Sequence, residues 1–597
     1  MRTKLIAIAI ATGGLIAAQS PSGRAMPTGE AATILAPLEL CHAGARPAVA
    51  GRGTALLLAQ GETRPFTADV VPPGAAAEGK PPLFDDLGTL TMPVTTASAE
   101  AQAYFDQGLR LSYAFNHAEA RRAFRAAQQL DPECAMCFWG EALVLGPNIN
   151  APMFPDALVP ALAALARAQV LAGRASERER ALIDALARRY SDRSDADRAA
   201  LDAAYADAMN DAAARFRDDD DIQVLYAEAL MDLSPWDYWE AGGERPKGRT
   251  ADIVAALERV LARNPDHPGA IHLYIHAVEA SAAPERALPH ARRLAALMPG
   301  AGHIVHMPGH IYYRLGLYRE ALEANIAAVA ADERYFERSP SDPFYRNGYY
   351  PHNLHFLMAA AQMGGDAASA LEAAAKLDRL LDEAFVRSAA SLQPIKAAPY
   401  FAHAQFSAPR TVLALPEPGD ALILVKALWH YARALAHAES GEHGEAGREI
   451  DALGALQSGG DFDDLHGSGV PGRAVVEIAR LVATARLADA RGELAAAAAA
   501  YRSALSVRDG LAYMEPPFWY YPVRQSLGAV LLRSGELDAA EAAFHDSLAR
   551  SPNNGWALYG LKEVYRQRGD DAAERAVGAQ LERAWFGDPA LLDLERL

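Results

Sequence analysis

The sequence predicts an all-α fold, a solenoid built from antiparallel helical hairpins. Three observations lead there. Alanine is abundant and strand-like alternation is scarce. A pattern of small and bulky residues returns with a 34-residue period. The 597 residues, 51% hydrophobic and 22% charged, hold enough apolar material for a large core. A chain of that length forms roughly three to five domains or one long array.

Taken from the N-terminus, residues 1–25 read as a secretory leader. Arg2 and Lys4 precede an apolar run from Leu5 to Ala18, and Gly23-Arg24-Ala25 offers a small-x-small cleavage site. This predicts a secreted or periplasmic protein. The competing reading is a start placed too far upstream, and the short apolar run Thr54–Ala59 keeps it open. Residues 26–96, rich in Ala, Pro and Gly without helical periodicity, predict a disordered linker. Cys41 follows Leu38-Glu39-Leu40 instead of the small residues a lipid anchor needs.

The repeats begin next. Counted from Ala101, Tyr104 is position 4, Gly108 position 8, Leu111 position 11, Ala120 position 20, Phe124 position 24, Ala127 position 27 and Pro132 position 32. The small residues let two helices approach closely, and the proline ends the second. The pattern resembles the tetratricopeptide repeat. It returns from Pro268 (Ala287, Leu294, Pro299), from Gly302 (Gly309, Tyr312, Ala321, Ala328) and from Tyr521 (Gly528, Ala540, Phe544, Pro552). Weaker copies start near Ala135, Pro351, Ile478 and Asn553. Residues 157–265 and 421–455 keep the hairpin period without the signature. The expected organisation is therefore N-terminal repeats over 97–266, central repeats over 267–390, and C-terminal repeats with a cap over 391–597. The resemblance implies an all-α, tetratricopeptide-like helical-hairpin solenoid. Such solenoids mostly bind other proteins, so the resemblance says little about chemistry.

The central repeats carry a histidine cluster. Nine of the 17 histidines fall between 267 and 355. Register matters more than number. His272 and His306 share repeat position 5, and His276 and His310 share position 9, each pair 34 residues apart. His303 and His352 share position 2, and His355 again takes position 5 after a 15-residue insertion. At about 100° per residue, positions 2, 5, 9 and 12 span an arc of about 80°, away from the packing positions 4, 7, 8 and 11. In tetratricopeptide proteins these positions line the concave groove, and the resemblance implies the same here. Position 12 brings Glu279 and Tyr313 to that surface.

Three explanations compete. The first is a metal site: imidazoles at i and i+4 form a helical chelating pair, and His272/His276 and His306/His310 are two such pairs on adjacent helices. Helices roughly 8–10 Å apart let both pairs reach one ion, or the set holds two ions. A nitrogen-rich donor set suits a transition metal, Zn, Cu or Fe, more than Ca or Mg. The second explanation is metal-free acid–base work or anion binding. The third is helix-to-helix hydrogen bonding. On the metal reading His272, His276, His306 and His310 are first-choice ligands, with His303, His352 and His355 behind them. Glu279 is then a ligand or general base, and Tyr313 and Arg314 orient a substrate or stabilise an anion. The runner-up is a non-enzymatic scaffold gripping a peptide, or a small anionic ligand, in the same groove.

Four strings resemble a group of bacterial tetratricopeptide-repeat proteins, often secreted: His306–Arg314, Gly146–Asn150, Tyr350–His355 and Glu515–Arg524. The resemblance implies fold and site position, not a reaction. Pro147 and Asn148 read as a turn or a groove-facing amide. The insertion 336–350, with Phe344, Tyr345, Arg346, Tyr349 and Tyr350, reads as a groove cover or a surface loop. The aromatic run 518–521 and the group Trp236, Tyr238 and Trp239 read as packing or as ligand walls.

Other signals exclude function classes. A net charge of −18 without a basic stripe disfavours nucleic acid. No apolar run beyond the leader approaches the roughly 20 residues of a membrane span. Cys134 and Cys137 read first as buried packing cysteines and second as a local disulfide. Asp218–Asp221 lacks the spacing of a calcium loop. No Walker loop and no H-E-x-x-H string is present.

Overall fold

The computed structural model describes residues 80–339 and 342–597. Among them the chain runs as helix after helix, with no β-strand and only the isolated bridges Asn148↔Ala151 and Trp239↔Pro246. It is an all-α, tetratricopeptide-like helical-hairpin solenoid. The expected leader and residues 26–79 of the expected linker lie outside the described residues. Residues 80–96 of that linker pack down instead of trailing free. Phe84, Leu87 and Met92 are buried, the Phe84 N–H donates to Gln107 Oε1 at 2.7 Å, and Thr95 bonds Glu179. Three well-placed apolar side chains outweigh the Ala/Pro/Gly composition around them.

The first hairpin pairs Ala99–Tyr113 with His117–Leu130. Ser98 caps the first helix through the Ala101 N–H, and Asn116 caps the second through the Glu119 N–H. The glycine of the repeat signature has a direct cause. A Cβ on Gly108 would sit 2.7 Å from the Phe124 ring, and one on Gly140 would sit 2.4 Å from it. Near the C-terminus Gly528 (2.8 Å) and Gly560 (2.1 Å) crowd Phe544 in the same way. Each phenylalanine is thus clamped between a glycine of its own repeat and one of the next.

The central hairpins pair Pro268–Val278 with Leu288–Leu297, and Tyr350–Gly364 with Ala367–Leu380. Between them, Tyr318–Arg338 pairs with a helix in two pieces, Gly302–His306 and Pro308–Arg314. Pro308 has no N–H to give, so the helical ladder breaks there. Met307 nonetheless keeps helical dihedrals (φ −54, ψ −36), so His306 and His310 stay one turn apart. The helix Tyr318–Arg338 absorbs the start of the expected insertion, and a wide turn, Tyr345–Tyr349, leads into Tyr350.

Buried apolar residues form two large clusters, one from Phe84 to Tyr349 and one from Tyr313 to Leu597. The histidine-bearing helices lie where the two meet.

The reading of the two cysteines is corrected. Cys134 and Cys137 are joined as a disulfide. Cys134 caps the helix Ala135–Val144, which brings Cα atoms three residues apart to 5.4 Å, within bridging range. One stretch, Pro155–Arg174, is long and apolar enough by composition to cross a membrane. Its α-helical part, Leu158–Leu171, has 14 residues and spans about 21 Å at 1.5 Å per residue, short of the roughly 30 Å hydrocarbon layer.

Candidate metal centre

Of the nine clustered histidines, two serve the scaffold. His267 caps the helix Pro268–Val278, its Nδ1 accepting the Ala270 N–H at 3.1 Å. His290 packs against Tyr274 and meets Arg293. Six others form two buried sets of three. His272, His276 and His303 make the first; His306, His310 and His352 make the second. Within each set the candidate ligand atoms lie within 4.8 Å of one another.

The partners of four of these rings fix their tautomers. His272 Nδ1 lies 2.6 Å from the Tyr113 carbonyl oxygen. His276 Nδ1 lies 2.8 Å from Glu279 Oε1, and His310 Nδ1 2.6 Å from Glu279 Oε2. His306 Nδ1 lies 2.6 Å from Asn325 Oδ1, and the Asn325 amide nitrogen donates to the Ala321 carbonyl, which settles its orientation. Carbonyl and carboxylate oxygens only accept, so all four Nδ1 atoms must donate. In a neutral imidazole the proton is then spent, and Nε2 is a bare lone pair.

Those bare Nε2 atoms face each other in pairs, and a third ring reaches the second pair. His272 and His276 bring theirs to 3.1 Å, His306 and His310 to 2.8 Å, and His352 Nε2 comes within 3.1 Å of His306 Nε2. Lone pair against lone pair is repulsive unless a cation lies between. Imidazolium is a poor answer at four of the rings: burial, then the charge of neighbouring histidines, holds His272, His303, His306 and His352 well below the ordinary histidine value. Burial also lowers His276, although Glu279 pulls the other way. His303 adds a second anomaly, because neither of its buried ring nitrogens has a partner.

Glu279 joins the two sets. It is fully buried and accepts from His276, His310 and, at 3.2 Å, the Tyr513 hydroxyl. Burial opposes its ionisation, but the neighbouring His310 and the hydrogen bonds from His276 and His310 outweigh this and hold it down at about 2. Both carboxylate oxygens are engaged on imidazole Nδ1, which makes Glu279 an orienting group for both sets. Arg314 donates to the Glu279 and Ser281 carbonyls and lies over the Tyr513 ring. Tyr313 is buried against Tyr318 and Phe356. His355 stands apart from both sets, beside Tyr520, with burial pressing it down to about 3.

Aromatic rings enclose the centre. Phe115 lies 4.5 Å from His272 and 5.5 Å from His303, centroid to centroid; Trp236 lies 4.9 Å from His276, Tyr349 4.7 Å from His303, and Phe356 4.7 Å from His310. Phe115 (φ 56) and Trp236 (φ 65) hold a left-handed backbone that bulky residues rarely adopt. Strained residues gather at functional sites, and these two press on the same histidine set. Phe115 also walls a cleft of about 410 Å³ edged by His117, Arg121, Arg122, Arg125 and Phe344.

Sequence reasoning missed Phe115, Asn325, Tyr113 and Tyr513. The available signal for Phe115 was a bulky residue in a hairpin turn beside a capping asparagine. Three of the four singled-out strings converge on the centre, and the fourth, Glu515–Arg524, lies beside it. Asn148 builds the expected turn by accepting the Asn150 and Ala151 N–H groups, and Asn150 holds the Trp236 indole. Tyr345 and Tyr349 of the insertion cover His303. In the run 518–521, Trp519 packs against Phe401 and Tyr431, whereas Phe518 and Tyr520 wall a cavity.

No family model matches the sequence, and no curated protein matches it. Solved structures that align include a human IFIT1 dimer with m7Gppp-AAAA (13% identity, 82% of this chain and 90% of that one, TM-score 0.28). Yeast Tom70 aligns at 12% identity over 81% and 95%, TM-score 0.23, and the P58(IPK) TPR domain at 15% over 61% and 98%, TM-score 0.17. At these scores the alignments carry no functional argument.

Proposed function

We propose that this protein binds a pair of transition-metal ions, one in each three-histidine set. The observation that carries the reading is the meeting of bare Nε2 atoms whose ring protons are committed elsewhere. Two nitrogens bound at roughly 2.0–2.1 Å to one tetrahedral ion stand about 3.3 Å apart. The gaps of 3.1 and 2.8 Å need only small shifts to match. Hydrogen-bonded Nδ1 partners are the usual support of metal-binding imidazoles, and four of the six have them. Bound cations would also offset the buried Glu279 charge. Imidazole donors suit Zn, Cu or Fe. Three ligands leave a coordination position open in each set, the arrangement of reactive more than structural sites. Burial of all six rings speaks against a peptide gripping them directly.

Export is part of the proposal. The leader-like residues 1–25 and the Cys134–Cys137 disulfide support an oxidising compartment, which fractionation of the source cells would test.

The metal test is elemental analysis of protein purified without an affinity tag, beside the double variant His276→Ala/His310→Ala. Near two equivalents of Zn, Cu or Fe in the first and a loss in the second is the expected result. Absence of bound metal after loading with each ion would overturn the reading.

A further inference from the structure

A second feature borders the centre. A cavity of about 50 Å³ lies between Tyr350–Gly364, which bears His352 and His355, and the loop after Leu494–Arg508, which bears Glu515. Its walls are mostly apolar, with Leu392, Ile395, Phe401 and Leu428 among them, and no lysine or arginine lines it. Polar side chains interrupt them: Tyr349, Ser391 and Tyr520 with hydroxyls, and His352, His355 and Glu515. His352 belongs to the second histidine set. His355 and Glu515 are 6% and 2% exposed, and His355 Nε2 and Glu515 Oε2 have no hydrogen-bond partner. The Tyr349 hydroxyl on the same lining is also without a partner; buried polar atoms are rarely left so, and several along one cavity suit an arriving ligand.

We infer that this cavity takes a small neutral molecule with an oxygen acceptor on an apolar body, a short-chain alcohol or ketone. That such a molecule would meet a metal beside His352 rests on the proposed function above; its binding in the cavity does not. Size sets the first limit. One water needs about 10–15 Å³ of such space, so roughly three to five non-hydrogen atoms fit. Charge sets the second. Burial pushes the Glu515 carboxyl up to about 8, so at neutral pH it faces the cavity as a neutral acid. A carboxylate would find no cation there. A hydroxyl or carbonyl oxygen would accept from the Glu515 acid while its carbon body replaces water against Phe401 and Leu428.

The test is saturation-transfer NMR and calorimetry with 1-butanol, using butyrate as the charged counterpart, on the full chain with and without metal. Binding of 1-butanol in both forms, with butyrate at least tenfold weaker, is expected. Leu428→Trp and the milder Ala397→Leu should each reduce 1-butanol binding at least tenfold, with unchanged helical circular dichroism checking the fold. Equal binding by wild type and Ala397→Leu, or butyrate binding as tightly as 1-butanol, would overturn the inference. Metal loading and 1-butanol binding of the wild-type chain, measured side by side, separate the two proposals. If the chain takes no metal yet binds 1-butanol, only the metal reading falls; if it takes metal and not 1-butanol, only this one does.

Discussion

Glu279 shows how much can depend on one side chain. Its oxygens set the direction of one imidazole in each histidine set, so a change there is felt twice. Glu279→Gln keeps the shape but offers one acceptor oxygen instead of two, and no charge. Metal affinity should fall roughly 10–100-fold in both sets, the usual effect of losing such a support. Competition with a coloured chelator measures this, and loss from one set alone would contradict the shared role. His355 makes a different prediction. Its value in the fold, about 3, lies below the roughly 6.5 of an unfolded histidine. Its contribution to stability is therefore present above pH 6.5 and is lost as pH falls toward 3. In urea titrations of metal-free protein, His355→Phe should gain about 3 kcal/mol on wild type between pH 7 and pH 4. A pH-independent gap would show that His355 titrates normally.

At the scale of the helix pair, stability rests on the clamped phenylalanines. Phe544→Ala would empty the slot between Gly528 and Gly560 and should cost about 3–5 kcal/mol in denaturant unfolding. Metal content should be unchanged, because Phe544 touches none of the histidine helices. This scale was also the most legible in the sequence. A 34-residue period is a statement about hairpins, so it placed His272 above His276 and His306 above His310 before any coordinates. It could not divide six histidines into two sets, because that depends on how neighbouring helices face each other. Nor could it find Asn325, which stands at repeat position 24, where Phe124 and Phe544 pack in their own repeats, or Phe115, whose role follows from a backbone twist in a turn. Composition misled over 80–96, where three buried side chains override the average of their neighbours.

At the scale of the whole chain, the centre draws on residues from distant parts of the array. The Tyr113 carbonyl comes from the first hairpin and the Tyr513 hydroxyl from a loop 234 residues beyond Glu279. Metal binding should therefore slow amide hydrogen exchange in Ala99–Tyr113 and around residue 513, as well as in the central helices. Protection confined to 268–364 would show that these reaches are incidental.

The contact from Tyr513 to Glu279 has a consequence for how this chain can change over time. In most repeat proteins each unit touches only its neighbours, so copies are gained and lost with little harm. Here a hairpin added or deleted between Arg314 and Tyr513 would carry the tyrosine away from the carboxylate and displace Glu515 from its cavity wall. The number of repeats in that span is held by the chemistry they enclose, and there the solenoid has lost the freedom to grow.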